Sequence, residues 1–76
     1  MDLKQYIRDI PDFPKKGIIF HDITPLLQNA KAYEAAIDRM ADMLDGRGID
    51  YLVGIESRGF IFASPLAIKL GTGLVI

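Results

Sequence analysis

Cysteine and tryptophan are absent from the 76-residue sequence, and histidine occurs once. Without cysteine there is neither a disulfide scaffold nor a thiolate metal site, and a small secreted domain usually needs such bridges. No stretch approaches the roughly 18 consecutive apolar residues of a transmembrane helix. The segment beginning Met1-Asp2-Leu3-Lys4 also lacks the apolar core of a secretory signal. A soluble, cytoplasmic protein with no membrane partner is expected.

An excess of one charge is also lacking, since 9 basic residues face 10 acidic ones and the formal net charge is −1. Binding to nucleic acid or to an anionic membrane surface usually needs a basic patch, so neither partner is expected. With 50% hydrophobic and 25% charged residues, the composition is that of a globular protein. At this length the chain is at most one small domain.

The final residues, 72–76, have the apolar pattern of a buried strand. A buried parallel strand needs neighbours and covering helices on both faces of the sheet. Two strands and two helices cannot supply that cover. We therefore expect residues 1–76 to be a single incomplete α/β domain, the N-terminal portion of a larger protein.

The first third of the sequence has little regular periodicity. Residues 2–8 can form about two helical turns, and Pro11 and Pro14 then end regular structure. Ile18-Ile19-Phe20 is a short β-prone run, and Pro25 indicates an edge strand or a strand end.

The centre of the chain has clearer signals. Asn29 is a suitable N-cap for an amphipathic helix that runs to Leu44, with Gly46 and Gly48 as its stop. The apolar segment Ile49–Ile55 follows and predicts a core strand of a parallel sheet.

A second helix is predicted from Gly59 to Leu70, and it is apolar on nearly all sides. Such a helix must be covered all round, so we expect one face on the sheet and another against a second subunit or further sequence. Pro65 allows two interpretations. It lies in mid-helix and kinks the axis, or Ser64 is an N-cap and Pro65 is the first helical residue.

Between the strand and this helix lies the turn Glu56-Ser57-Arg58-Gly59. Open α/β sheets bind ligands at the carboxyl ends of their strands, and a helix N-terminus with an arginine suits an anion. The alternative is an N-cap at Ser57 beside a surface Glu–Arg pair. The glycine patterns of a Walker loop or a dinucleotide fingerprint are missing. A lone His21 likewise predicts no metal cluster.

Two segments resemble the signatures of one enzyme family. Residues 13–27, FPKKGIIFHDITPLL, resemble the N-terminal signature of adenine phosphoribosyltransferases, and residues 54–62, GIESRGFIF, resemble their second signature. The separation of the two segments and the helix between them are also those of the family.

The resemblance implies a type I phosphoribosyltransferase: a Rossmann-like parallel-sheet core, here incomplete (29–76), with an N-terminal hood segment (1–28). It further implies transfer of the 5-phosphoribosyl group from phosphoribosyl pyrophosphate to adenine, giving AMP and pyrophosphate in purine salvage. Mg²⁺ is implied as a cofactor carried by that substrate, without ligands from this chain. A homodimer formed through the 59–70 helix is also expected.

By position, the resemblance assigns adenine to Ile19, Phe20 and His21, with backbone groups of Ile19 and His21 at the base edge and the Phe20 ring on its face. It assigns the pyrophosphate to Glu56, Ser57, Arg58 and Gly59, and it implies a cis peptide bond between Glu56 and Ser57. The family more often has arginine at the position of His21.

The family's catalytic loop and acidic ribose-phosphate motif lie beyond residue 76, so no catalytic residue is expected in this chain and the fragment alone is expected to be inactive. Two other interpretations remain. The chain belongs to a module that senses purine or phosphoribosyl pyrophosphate without turnover, or it is an α/β fragment with no site of its own.

Overall fold

Three α-helices and four short strands are found in residues 2–76, the part of the chain that this computed structural model describes. In chain order, the elements are a 3₁₀ turn (Leu3–Tyr6), β1 (Arg8–Pro11), β2 (Ile19–Asp22), α1 (Thr24–Gln28), α2 (Ala30–Leu44), β3 (Tyr51–Val53), α3 (Arg58–Leu70) and β4 (Gly73–Val75). The chain divides within α2 into two compact units, one ending at Ala36 and one beginning at Ile37. The expected hood and core, with their boundary after residue 28, stay a prediction.

The first unit contains an antiparallel hairpin that the sequence patterns did not predict. Strand β1 pairs with β2, with Arg8 opposite Asp22 and Pro11 opposite Ile19. Residues 2–8 form one short 3₁₀ turn and the start of β1 in place of about two helical turns, and regular structure then ends at Pro11, as expected. Proline is accepted here because a two-stranded sheet consists of edge strands, on which a missing N–H need not break the ladder.

Pro25 also has a different role from the expected strand end. It lies in the first turn of α1, where the missing N–H of proline has no intrahelical partner to lose. The expected N-cap of α2 is confirmed, because the Asn29 side-chain Oδ1 accepts a hydrogen bond from the N–H of Ala32 at 3.0 Å. Leu26 and Ala32 are among the buried residues of this unit.

The second unit is a β–α–β arrangement in which β3 and β4 pair in parallel. The expected strand at 49–55 is confirmed at its centre, although regular pairing covers only Tyr51–Val53. Helix α3 packs on both strands through a face that includes the buried Ala63, Leu66 and Ala67. Gly71 ends α3 in the left-handed conformation, with φ 71°.

Helix α3 settles the two interpretations of Pro65, because the helix begins at Arg58 and includes Pro65 in its interior. On the side away from the sheet, Ile68 is 84% exposed. The chain thus leaves part of this apolar helix uncovered, as expected. None of the helices described in residues 2–76 combines the length and the apolar character needed to cross a bilayer.

Candidate functional site

The 56–59 turn joins the carboxyl end of β3 to the N-terminus of α3. After Val53, the ladder continues for one more hydrogen bond, from the N–H of Gly54 to the carbonyl of Val75 at 3.0 Å. The chain then leaves the sheet and enters α3 at Arg58. A parallel strand therefore feeds directly into a helix of 13 residues, the geometry expected from the sequence.

A close approach between two backbone segments holds this turn. A Cβ placed on Gly54 would lie 3.0 Å from Cδ1 of Phe60, 3.1 Å from Cβ of Ala63 and 3.3 Å from the carbonyl oxygen of Gly59. Any side chain at position 54 would therefore push the strand end away from the first turns of α3. Gly54 therefore allows the strand end to pack closely against α3, in addition to its place in the sequence motif of the turn.

The backbone of the turn has the expected peptide geometry. The bond between Glu56 and Ser57 is cis, which confirms the expectation from the resemblance. Ser57 occupies the N-cap position, and its carbonyl accepts a hydrogen bond from the N–H of Phe60 at 3.2 Å. Its hydroxyl makes no capping hydrogen bond. This geometry does not support the alternative in which Ser57 serves the helix as a side-chain cap.

The turn has the features from which an anion site is expected. Glu56, Ser57 and Arg58 are all exposed, and α3 directs its N-terminus at the turn. The first N–H groups of a helix carry partial positive charge and favour phosphate oxygens. A guanidinium at Arg58 adds a planar, permanently charged donor of matching geometry.

In the first unit, the N-terminal hairpin (β1, β2 and the loop between them) carries the residues expected to hold the base. The side chains of β2 alternate, with Ile19 and His21 exposed and Phe20 half-buried. The rings of Phe13 and Phe20 meet edge to face, with centroids 5.3 Å apart and planes at 72°. This contact fixes the plane of the Phe20 ring at the base of the hairpin loop.

The strand register also determines where backbone groups of β2 point. Hydrogen-bonded and non-hydrogen-bonded pairs alternate along an antiparallel ladder. Since Pro11 has no N–H, its pair with Ile19 fits the non-hydrogen-bonded type, and the pair of Asp9 with His21 is then of the same type. Residues in such pairs turn their N–H and C=O away from the partner strand. Ile19 and His21 therefore present donors and acceptors on the open edge of β2.

An ion pair and a cap lie at the end of this hairpin. The Arg8 guanidinium pairs with the carboxylate of Asp22, which also accepts hydrogen bonds from the Thr24 hydroxyl (2.6 Å) and the Thr24 N–H (2.9 Å). These hydrogen bonds from Thr24, with the Arg8 charge adding to them, lower the pKa of Asp22 to about 2. Asp22 thus stays charged at neutral pH and links the hairpin to α1.

A second side-chain pair, Asp9 with His21, was not predicted from the sequence. Nδ1 of His21 lies 2.6 Å from Oδ1 of Asp9, and both side chains are about two-thirds exposed, at 68% and 65%. They line an open cavity of about 440 Å³ with Lys4, Ile7 and Ile23. The signal was hidden because β1, the strand that carries Asp9, was itself not predicted.

No group of three or more His, Cys, Asp or Glu side chains that could hold a metal ion is formed by residues 2–76. Mg²⁺ commonly takes only one or two carboxylates together with substrate phosphates. The expectation that Mg²⁺ is carried by the substrate, without ligands from this chain, stays a prediction.

No family model matches the chain. In sequence, it is 60% identical to the adenine phosphoribosyltransferase of Thermotoga neapolitana and 59% identical to that of Halothermothrix orenii. Each match covers 75 residues, which are 99% of this chain and 44% of the relative. The chain therefore spans less than half the length of these curated relatives.

In structure, the chain is similar to adenine phosphoribosyltransferase from Thermoanaerobacter pseudethanolicus, with TM-score 0.91 and 53% identity over 96% of this chain and 44% of that one. It is similar to the Giardia lamblia enzyme complexed with 9-deazaadenine, with TM-score 0.90 and 40% identity over 97% of this chain and 41% of that one.

The resemblance to adenine phosphoribosyltransferases is confirmed, in sequence and in fold. The small parallel sheet with its connecting helix matches part of the fold of these adenine phosphoribosyltransferases, and the two units correspond to under half of it.

Proposed function

We propose that this chain supplies the adenine-binding hairpin and the pyrophosphate-binding turn of an adenine phosphoribosyltransferase. The complete protein transfers the 5-phosphoribosyl group of phosphoribosyl pyrophosphate to adenine and releases AMP and pyrophosphate. The observation that carries the proposal is the 56–59 turn, in which an exposed arginine stands at the N-terminus of a helix that follows a parallel strand. The chain alone does not perform the transfer.

Adenine is held at the N-terminal hairpin in this proposal. The open edge of β2 offers the N–H and C=O groups of Ile19 and His21, which match the alternating donors and acceptors along a purine edge. The Phe20 ring, oriented by Phe13, stacks on the face of the base. Backbone recognition of this kind does not require a particular side chain at position 21.

Pyrophosphate is the leaving group in this reaction, and the 56–59 turn holds it. The transition state has oxocarbenium character at the ribose while negative charge grows on the departing pyrophosphate. Donors that are already oriented stabilise such charge with little reorganisation. Arg58 and the backbone amides of the turn and of the α3 N-terminus provide them. Mg²⁺, carried by the phosphates of the substrate, neutralises part of the same charge when it is bound.

The proposal extends to assembly and location. The exposed Ile68 on α3 supports a homodimer in which the 59–70 helix lies at the interface. A role in purine salvage supports a cytoplasmic location, where the free base and the nucleotide pool meet.

The base site can be tested on the chain itself by calorimetric titration with adenine. We expect saturable binding that Phe20→Ala abolishes, because the stacking surface is lost. Tyr51→Ala is the matched control, since it removes an exposed ring from the second unit and leaves the hairpin intact. Equal losses in the two variants would contradict the assignment of adenine to Phe20.

The pyrophosphate site is tested in a protein of the relatives' full length that carries this chain. We expect Arg58→Ala to raise the KM for phosphoribosyl pyrophosphate about tenfold or more while leaving the KM for adenine within about twofold, since only one substrate contacts the guanidinium. Arg47→Ala, an exposed arginine that hydrogen-bonds Met43, controls for the change in net charge. Parallel losses for both substrates would refute the role of Arg58.

A further inference from the structure

We infer that Asp9 is a positioning residue for β2: it holds the strand through the His21 side chain, and it does so more firmly when the imidazole is protonated. The structural part of this inference depends on the hairpin alone. Its consequence for adenine rests on the proposed function.

The strand register gives the Asp9–His21 pair its importance. In a non-hydrogen-bonded pair, the two Cα atoms are close and side chains meet directly, but no backbone hydrogen bond joins the two residues. His21 therefore points its backbone N–H and C=O at the open edge of β2, and its attachment to β1 at this level is the 2.6 Å contact between Nδ1 and Asp9 Oδ1.

The charged groups around His21 come from three elements. Asp9 faces it from β1, and Lys4 of the 3₁₀ turn lines the same cavity. Asp22, its neighbour on β2, has its carboxylate engaged by Arg8 and Thr24. The surroundings of the imidazole thus include a negative charge at Asp9, in direct contact, and a positive charge at Lys4.

Proton binding changes the strength of this contact. Histidine is the side chain whose charge ordinarily changes between about pH 5 and pH 8. When protonated, the imidazole forms an ion pair with Asp9. When it is neutral, the tautomer with hydrogen on Nδ1 still donates the hydrogen bond, but the attraction between opposite charges is lost. The contact is therefore stronger with a charged imidazole than with a neutral one.

The size of the effect follows from exposure. Ion pairs between exposed side chains stabilise a protein only modestly, and these side chains are 68% and 65% exposed. We expect a change of about two- to fivefold in the opening equilibrium of the hairpin across this pH range. Adenine, which contacts the edge that this pair positions, is expected to bind tighter by a similar factor at low pH.

Amide hydrogen exchange of the 76-residue chain, followed by NMR, tests the structural part. Ile10 and Phe20 face each other in the ladder, in the hydrogen-bonded pair next to Asp9 and His21. We expect the protection factors of their amides to fall about two- to fivefold between about pH 5.5 and about pH 8. Asp9→Asn should remove this dependence, while Asp45→Asn, an exposed aspartate in the second unit, should retain it. His21→Arg should keep high protection at both pH values because its charge does not change.

If the pH dependence of the protection factors is the same in the unmodified chain and in Asp9→Asn, the inference is overturned. A pH dependence that persists in His21→Arg would overturn it as well. Lys4→Gln removes the opposing charge and should increase the protection at low pH; a decrease would also contradict the argument. If Asp9→Asn fails to fold, the comparison of His21→Arg with the unmodified chain decides the question.

Calorimetric titration with adenine at the same two pH values tests the consequence. The consequence is supported if the unmodified chain binds adenine more tightly at low pH and the His21→Arg variant binds it with the same affinity at both pH values. Absence of any adenine binding would refute the proposed base site, and hydrogen exchange would still decide the role of Asp9. Adenine binding with no pH dependence, together with a pH-dependent hairpin, would show that the pair does not control the base site.

Discussion

Gly54 offers a sharp test of how the 56–59 turn is held. The substitution Gly54→Ala adds one Cβ at 3.0 Å from Cδ1 of Phe60 and 3.1 Å from Cβ of Ala63. Real Cβ atoms rarely come so near, so the strand end and the first turns of α3 must separate by a few tenths of an ångström. Gly54 is buried, and α3 holds its own position against both strands, so neither side yields freely.

Overpacking of this kind costs about 1–3 kcal/mol. The expected result is a lower urea midpoint for loss of helical circular dichroism. With a urea dependence of about 1 kcal/mol per molar for a chain of this size, the midpoint should fall by about 1–3 M. The displaced turn should also lose anion affinity in the full-length context.

Gly59→Ala is the matched control, because it also adds one Cβ where the strand end meets α3, but on the helix in place of the strand. There, the nearest atom to the added Cβ is the carbonyl carbon of Gly54 at 3.4 Å, an ordinary contact. Since Gly59 lies within α3, alanine should stabilise the helix by about 0.5–1 kcal/mol. Opposite signs are therefore expected. A loss of similar size in both variants, or no loss in Gly54→Ala, would refute the packing argument.

Three further results are expected. Asn29→Ala should cost about 1 kcal/mol in thermal unfolding through loss of the α2 cap, and a similar cost for the neighbouring Gln28→Ala would contradict the cap assignment. Because the pKa of Asp22 is lowered from 3.8 to about 2, its charge contributes stability that is present above pH 3.8 and is lost as the pH falls towards 2. Asp22→Asn should therefore flatten this part of the acid-unfolding curve. Lys69→Met removes the ion pair in which Lys69 Nζ lies 2.6 Å from Asp38 Oδ1. A double-mutant cycle of Lys69 and Asp38 should give a coupling free energy below about 1 kcal/mol.

The long helices α2 and α3 and the strands β2, β3 and β4 were predicted from the sequence, whereas β1 and α1 were not, for reasons visible in particular residues. The Asn29 side chain is suited to capping a helix, and an amphipathic period begins just after it. These two local signals agree. The segment Arg8–Pro11 has neither β-branched repetition nor alternation, and it contains a proline. It forms β1 because β2 offers a ladder to pair with, and sheet preference depends on such partners more than on the residue itself.

Pro65 shows where packing decides between two local possibilities. A proline in mid-helix loses one hydrogen bond and clashes with the preceding turn, so sequence alone favours neither helix nor break. Ala63, Leu66 and Ala67 lie on both sides of it and are buried together. Breaking the helix at Pro65 would expose part of that face, so burial keeps the two halves in one helix.

The candidate site divides in the same way. Its chemistry could be located from the sequence, since a strand, a charged turn and a helix start follow one another from Ile55 to Phe60. Its mechanical support could not, because the approach of Gly54 to Phe60 and Ala63 depends on how α3 crosses the strand end. From the sequence alone, a glycine at position 54 is expected only to weaken the strand, because it has no side chain to pack. The opposite effects expected for alanine at positions 54 and 59 follow from this difference: one glycine makes room for the crossing, and the other is an ordinary helix position beside it.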